Sequence, residues 1–157
     1  GCTLRVRMTS LPTLRLWIVG ILWLGLLGSG IELLLLEHYE GWWQLVPLFL
    51  LALAGIVLLW HRARRDSASI RALQGTMLMF VVAGVVGAGL HFRGAAEFQR
   101  EVNPSLGGWE LTKKVMRVKA PPVLAPGLMM QLGLIGLAYA HRHPDLAGPA
   151  SNRLHME

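Results

Sequence analysis

Residues 16–36 read LWIVGILWLGLLGSGIELLLL, an apolar run interrupted only by Ser29 and Glu32. A bilayer core of about 30 Å is crossed by roughly 20 helical residues, so this run has the length of a membrane span. It is too long for the core of a cleaved signal peptide. No small-residue cleavage site follows it, and further apolar runs come after it. Those runs lie at about 42–60, with Gln44 and Pro47 in its first turns, and at about 72–90, with Gln74 and Thr76 near its start. A fourth extends from about Val123 or Leu128 to Ala140. Its first turn falls near Leu124, with Pro126 tolerated close to the helix start. Counted from Leu128 it is short of a span, and a re-entrant or tilted segment is the alternative there.

The composition agrees with these runs. Of 157 residues 54% are apolar and 15% charged, the mean hydropathy is +0.48 and the net charge is +6. A soluble domain carries roughly a quarter charged residues, and disorder requires low hydrophobicity; both classes are excluded. The single cysteine, Cys2, excludes an internal disulfide, a CxxC pair and a four-thiolate zinc site. Met8-Thr9-Ser10-Leu11-Pro12 reads more like a native start than Gly1-Cys2. The expected fold is an all-α integral membrane protein, a bundle of four transmembrane helices with an outer interfacial amphipathic segment. It divides into an N-terminal arm (1–15), a membrane domain (16–140) that includes an outer loop (91–126), and a polar tail (141–157).

Orientation follows from the cations. His61-Arg62-Ala63-Arg64-Arg65 abuts the second run, where the positive-inside rule weighs most. Both termini are therefore expected in the cytoplasm, with the chain in a bacterial cytoplasmic membrane. Basic residues occur on both sides and flank apolar runs, so anionic lipid rather than nucleic acid is the expected partner, together with other membrane proteins or a second copy. Trp42 and Trp43 suit a headgroup belt. Asp66-Ser67-Ala68-Ser69 offers N-cap chemistry to the third run.

The outer loop predicts a short helix over 95–102, stopped before Asn103-Pro104, and a second from Pro104-Ser105 to Val118. In the second, Leu111, Val115 and Val118 fall at i, i+4 and i+7 beside Trp109 and Met116, with Lys113, Lys114 and Arg117 on the remaining surface. That is the pattern of a cationic helix lying in the membrane interface, with a lid over the bundle as the alternative. Ala120-Pro121-Pro122 would stop it. Small residues at Gly25, Gly28, Gly84, Gly87, Gly133 and Gly136 predict that spans one, three and four pack closely and that span two is the more lipid-exposed.

Glu32 is the most informative polar residue, because an ionisable group within a span usually faces the bundle interior. It shares a helical face with Gly25, Gly28 and Ser29, and His91 repeats that geometry with Gly84 and Gly87. A buried polar cluster of Glu32, His91 and Gln131 is expected. Around it, His38, His91, Glu97 and Glu101 form a candidate metal set, since imidazole and carboxylate suit zinc, copper or non-haem iron. Haem is the other candidate cofactor, with His38 and His91 pairing at one side and His61 and His141 at the other. His143 and His155 read as parts of a polar tail.

No nucleophilic triad, phosphate loop or nucleotide fingerprint occurs. Glu32 resembles the membrane glutamate in the first helix of four-span small multidrug transporters. The resemblance covers one residue type in one helix and carries no function over. The expected role is a non-catalytic accessory or structural subunit of a membrane assembly. The alternatives are a metal- or haem-binding redox protein with an outer His/Glu site and a proton-coupled transporter using Glu32.

Overall fold

The computed structural model describes residues 2–37, 41–117 and 123–147, with side chains between 11 and 146. His38, Tyr39, Glu40, Val118, Lys119, the Pro121-Pro122 stop, His155 and the Cys2 side chain lie outside the described set. Five α-helices follow in order: α1 (Cys2–Leu35), α2 (Trp42–Arg64), α3 (Ser67–Val102), α4 (Gly108–Met116) and α5 (Leu124–Ala140). A 3-10 turn, Pro144–Ala147, comes last, and no strand occurs among the described residues. Three helical stretches, Leu11–Leu35, Trp42–Arg64 and Ser67–Val102, are long and apolar enough to cross a membrane. The fourth, α5, is apolar but has only 17 residues.

The turn between α2 and α3 is built from two opposed signals. Arg65 adopts a left-handed conformation (φ 49°), and its N–H donates to the His61 carbonyl at 2.9 Å, ending α2. Asp66 then caps α3, its side chain accepting from the Ser69 N–H at 2.8 Å. That bond also holds the Asp66 carboxyl below the usual carboxylate range. The N-cap expected from the sequence is therefore present, and the two helices return antiparallel.

One difference concerns α3. The third apolar run and the short helix expected over 95–102 are a single helix of 36 residues, about 54 Å long. Nothing in His91-Phe92-Arg93-Gly94-Ala95-Ala96 forces a break. Arg93 Nε donates to Glu97 Oε1 one turn on at 2.8 Å, supporting the helix locally. The helix stops at Asn103 because the residue before a proline avoids helical geometry. A second difference follows. The projecting end of α3 gives α4 a protein surface, so Leu111 and Val115 are buried against Ala96, with Phe92, Ala95 and Leu106 beside them. The apolar stripe expected to face lipid is used within the protein, as in the lid alternative.

The core joins Leu22 and Leu26 of α1, Leu50, Ala54 and Leu58 of α2, Ile70, Leu73, Met77 and Phe80 of α3, and Met129 and Leu132 of α5. Helices α3 and α5 form the closest pair. A Cβ at Gly133 would lie 2.6 Å from the Met77 carbonyl oxygen, and one at Gly84 would lie 2.7 Å from the Pro126 carbonyl oxygen. Gly25 faces Leu132, and Gly136 faces Met77. Of the six glycines singled out in the sequence, Gly25, Gly84, Gly133 and Gly136 therefore do set close contacts, Gly87 makes an ordinary one with Pro126, and Gly28 faces open space.

The expectation for the second run is reversed. Leu50, Leu51, Ala54, Val57, Leu58 and His61 of α2 are buried, against only Leu22, Leu26 and Ser29 of described α1. Small residues govern how near two helices come; bulky ones can be buried at wider spacing. Helix α1 is the peripheral element.

Candidate metal centre

The candidate outer site is not a buried one. Glu32, His91 and Gln131, expected as a buried cluster, are each exposed. In the expected metal set His38 lies outside the described residues, and His91, Glu97 and Glu101 are exposed. The Glu97 carboxylate is engaged by Arg93. The expected burial assumed that the glycine-bearing face of each helix points inward along its whole length. The open space at Gly28 and the projection of α3 beyond the core undo that assumption at the ends.

A different set converges at the α2–α3 turn. His61 sits on the last turns of α2 and is 4% exposed. Across the turn, Ser69 is fully buried, and its Oγ lies 3.0 Å from His61 Nδ1. The Ser69 hydroxyl already donates to the Asp66 carbonyl at 2.9 Å. It must therefore accept from His61, so the imidazole proton is on Nδ1. The lone pair of neutral His61 is then on Nε2, which faces Asp145 Oδ2 at 3.7 Å.

The second half of the site comes from beyond α5. Gln74 Nε2 donates to the Ala140 carbonyl (3.5 Å), and Arg15 Nη2 donates to the Arg142 carbonyl (3.0 Å). The Ala140 carbonyl, the last of α5, also accepts from the His143 N–H at 3.3 Å. Arg142 turns the chain through a left-handed conformation (φ 46°), and Pro144 opens the 3-10 turn. His143 and Asp145 are thereby brought over His61. The Asp145 N–H donates to His143 Nδ1 at 3.3 Å, so the lone pair of this nitrogen is engaged by the amide and a metal ion would have to displace that bond; Asp145 Oδ2 is 3.5 Å from it.

The His61 Nε2 lone pair, the amide-engaged Nδ1 of His143 and a carboxylate thus lie together. One ligand-capable atom from each of His61, His143 and Asp145 lies within 4.8 Å of the other two. Such a group repels itself unless a cation or a proton lies between its members. The 3.5 and 3.7 Å separations are close to the ~3.4 Å ligand-to-ligand edge of a tetrahedral site with bonds of ~2.0–2.1 Å. Burial pulls the His143 proton affinity below the ordinary histidine value; Asp145 opposes this, while His61 and the Arg15 and Arg65 guanidiniums reinforce it. These influences together favour the neutral imidazole.

Two imidazoles and one carboxylate suit zinc, non-haem iron or copper and leave a coordination position for an external ligand. The Asp145 side chain, 22% exposed against 5% for His61, marks the open side. The His61–Ser69 hydrogen bond is the outer contact that fixes a ligating tautomer. Haem does not fit here. The His61 and His143 rings stand edge-on with centroids 5.0 Å apart, and Tyr139 closes a third side at 5.9 and 5.2 Å. His141, expected as the partner of His61, is exposed.

Sequence reasoning placed His61 at this end of the bundle but set His143 aside as tail. The available signal was the run His143-Pro144-Asp145 directly after an apolar helix, in which the proline starts a turn that folds two donors back. Comparison with family models, with curated proteins and with solved structures finds no match to this chain.

Proposed function

We propose that the protein is an integral membrane protein, a bundle of four crossings that binds a divalent transition-metal ion at the α2–α3 turn through His61, His143 and Asp145. One observation carries the metal reading: His61 Nε2, freed by the Ser69 contact, meets the Asp145 carboxylate and His143 Nδ1, whose lone pair a bound ion would take over from the Asp145 N–H. The membrane reading is supported by three long apolar helices and by the large apolar residues on their outer faces, such as Leu24, Leu35, Phe49, Ile56, Val82 and Val85. Helix α5, at 17 residues, is about 26 Å long and meets the lower limit for a crossing. Arg62, Arg64, Arg65, Arg71 and Arg142 gather at the turn end. That end is then the cytoplasmic one, and both described chain ends lie on its side.

The testing experiment is titration of metal-free protein in mild detergent with Zn²⁺ and with Co²⁺, the latter read by its visible bands. The reading expects one ion per chain, lost in His61→Ala and in His143→Ala. Wild-type protein that takes up neither ion at micromolar concentration contradicts it.

A second reading, the accessory or structural subunit, is favoured by α1. Its Leu16, Trp17, Leu24 and Ile31 are exposed on a helix that buries little of its length. Photo-crosslinking from Trp17 in native membranes should then capture another membrane protein; crosslinks to lipid alone speak against it.

A further inference from the structure

Helix α5 spends two of its sides inside the bundle. Pro126, Met130 and Gly133 meet α3, while Leu132 meets α1. The remaining side carries Leu124, Gly127, Gln131, Leu134 and Ala138, spaced by three, four, three and four residues. That is the a/d spacing of a coiled-coil seam. Leu124, Gln131, Leu134 and Ala138 are exposed and Gly127 is half-buried, with nothing within 4 Å of a Cβ placed on it.

Gln131 distinguishes this face from an ordinary lipid-facing one. It is the eighth of the 17 residues of α5, and so lies near mid-depth of a crossing. Within the packed part of the apolar helices, Gln44 accepts from the Gly41 N–H and Gln74 donates to the Ala140 carbonyl, while Gln99 lies on the end of α3 that projects beyond the core. The Thr76 hydroxyl donates to the Ala72 carbonyl. Ser29 has no partner among the described residues but is buried within the protein. Among the described residues Gln131 has no hydrogen-bond partner, and it is exposed.

An amide in hydrocarbon without a partner is costly, and interhelical amide hydrogen bonds are a recurrent adhesive between membrane helices. We propose that α5 pairs in parallel with α5 of a second copy along this seam, with Gln131 bonded to its own counterpart. The occupant follows from the chemistry. A carboxamide both donates and accepts, so it is complementary to itself. Copies inserted in the same direction and related by a two-fold axis along the membrane normal bring each seam residue to its equivalent at the same depth. A different protein would have to supply a polar group at that depth independently. Gly127 and Ala138 let the backbones approach on either side of the amide pair, and the single polar seam position fixes register. The inference rests on the membrane reading and is independent of the metal reading.

The test uses the full chain in lipid vesicles, with Cys2→Ser as background so that one introduced cysteine reports. Leu134→Cys is expected to form a disulfide-linked dimer on mild oxidation, and Leu24→Cys on α1 is not. By fluorescence transfer between labelled chains, Gln131→Leu is expected to weaken the dimer roughly 5–30-fold, with Gln131→Asn retaining most of it. Gln131 lies outside the packed core, so circular dichroism should show unchanged helix content in both variants. A monomer at all protein-to-lipid ratios overturns the proposal. So does crosslinking through Leu24→Cys in preference to Leu134→Cys, a dimer indifferent to Gln131→Leu, or capture of a different chain only in native membranes.

Discussion

The two ends of the bundle carry the same kinds of donor and use them differently. At the α4 end, His91, Glu97 and Glu101 are exposed, and the Glu97 carboxylate is engaged by Arg93. At the α2–α3 turn, His61 is buried and His143 and Asp145 close over it. What separates the ends is convergence and burial, and which atoms their neighbours leave available, although at the turn the Asp145 N–H engages His143 Nδ1. Arg93 consumes an acceptor. Ser69 consumes a donor, and in doing so turns the lone pair of His61 toward two other acceptors. Burial then keeps the imidazoles from leaving that arrangement for water.

The largest expected effect breaks the comparison at the donors. His61→Ala and His143→Ala should abolish binding of one Zn²⁺ per chain, whereas His91→Ala and Glu97→Gln at the other end should leave the affinity unchanged; calorimetric titration of the four variants checks this. Next, Ser69→Ala should weaken Zn²⁺ binding about 10–100-fold, the usual effect of losing an outer contact to a metal-bound imidazole. It should do so without removing the site, which the same titration reads.

Packing gives an effect of similar size that both ends should share. Gly84→Val places side-chain carbon against the Pro126 carbonyl and Met130, and overpacking of this kind costs about 1–3 kcal/mol. Thermal unfolding in detergent should show a lower midpoint, and Gly28→Ala, in open space, should not. The smallest effect concerns protons. Because burial lowers the His143 proton affinity from the ordinary value of 6.5, the folded protein takes up that proton less readily than the unfolded chain. The associated stability is complete above the ordinary value and is lost as pH falls through the lower folded one. Metal affinity should decline over the same window, since a ligating imidazole must be neutral. A pH series of the Zn²⁺ titration between 7.5 and 5 is expected, on the order of those values, to show that decline.

Much of the fold was legible because its signals are local. Run lengths gave α2, α5 and the apolar part of α1, which is in fact helical from Cys2, the Asp66 cap gave the α2–α3 turn, and Gly84 and Gly133 gave the α3–α5 contact. The continuity of α3 was missed because a polar run looks like a loop when only hydropathy is read, although His91–Val102 contains no proline and its one glycine, Gly94, is tolerated within the helix. The burial of α2 was missed because glycine content reports interhelical distance, whereas Leu50 and Leu58 are buried by what surrounds them. The candidate centre was legible only in half. His61 stands beside an evident turn, but His143 joins it through a chain reversal at Arg142 and Pro144 that no periodicity announces.

The most direct test of the central claim is a calorimetric Zn²⁺ titration comparing wild-type protein with His143→Ala, a residue that hydropathy assigns to the tail. The account predicts one ion per wild-type chain and none for the variant, with helix content and detergent elution unchanged. Equal binding by both proteins, or binding by neither, would contradict it.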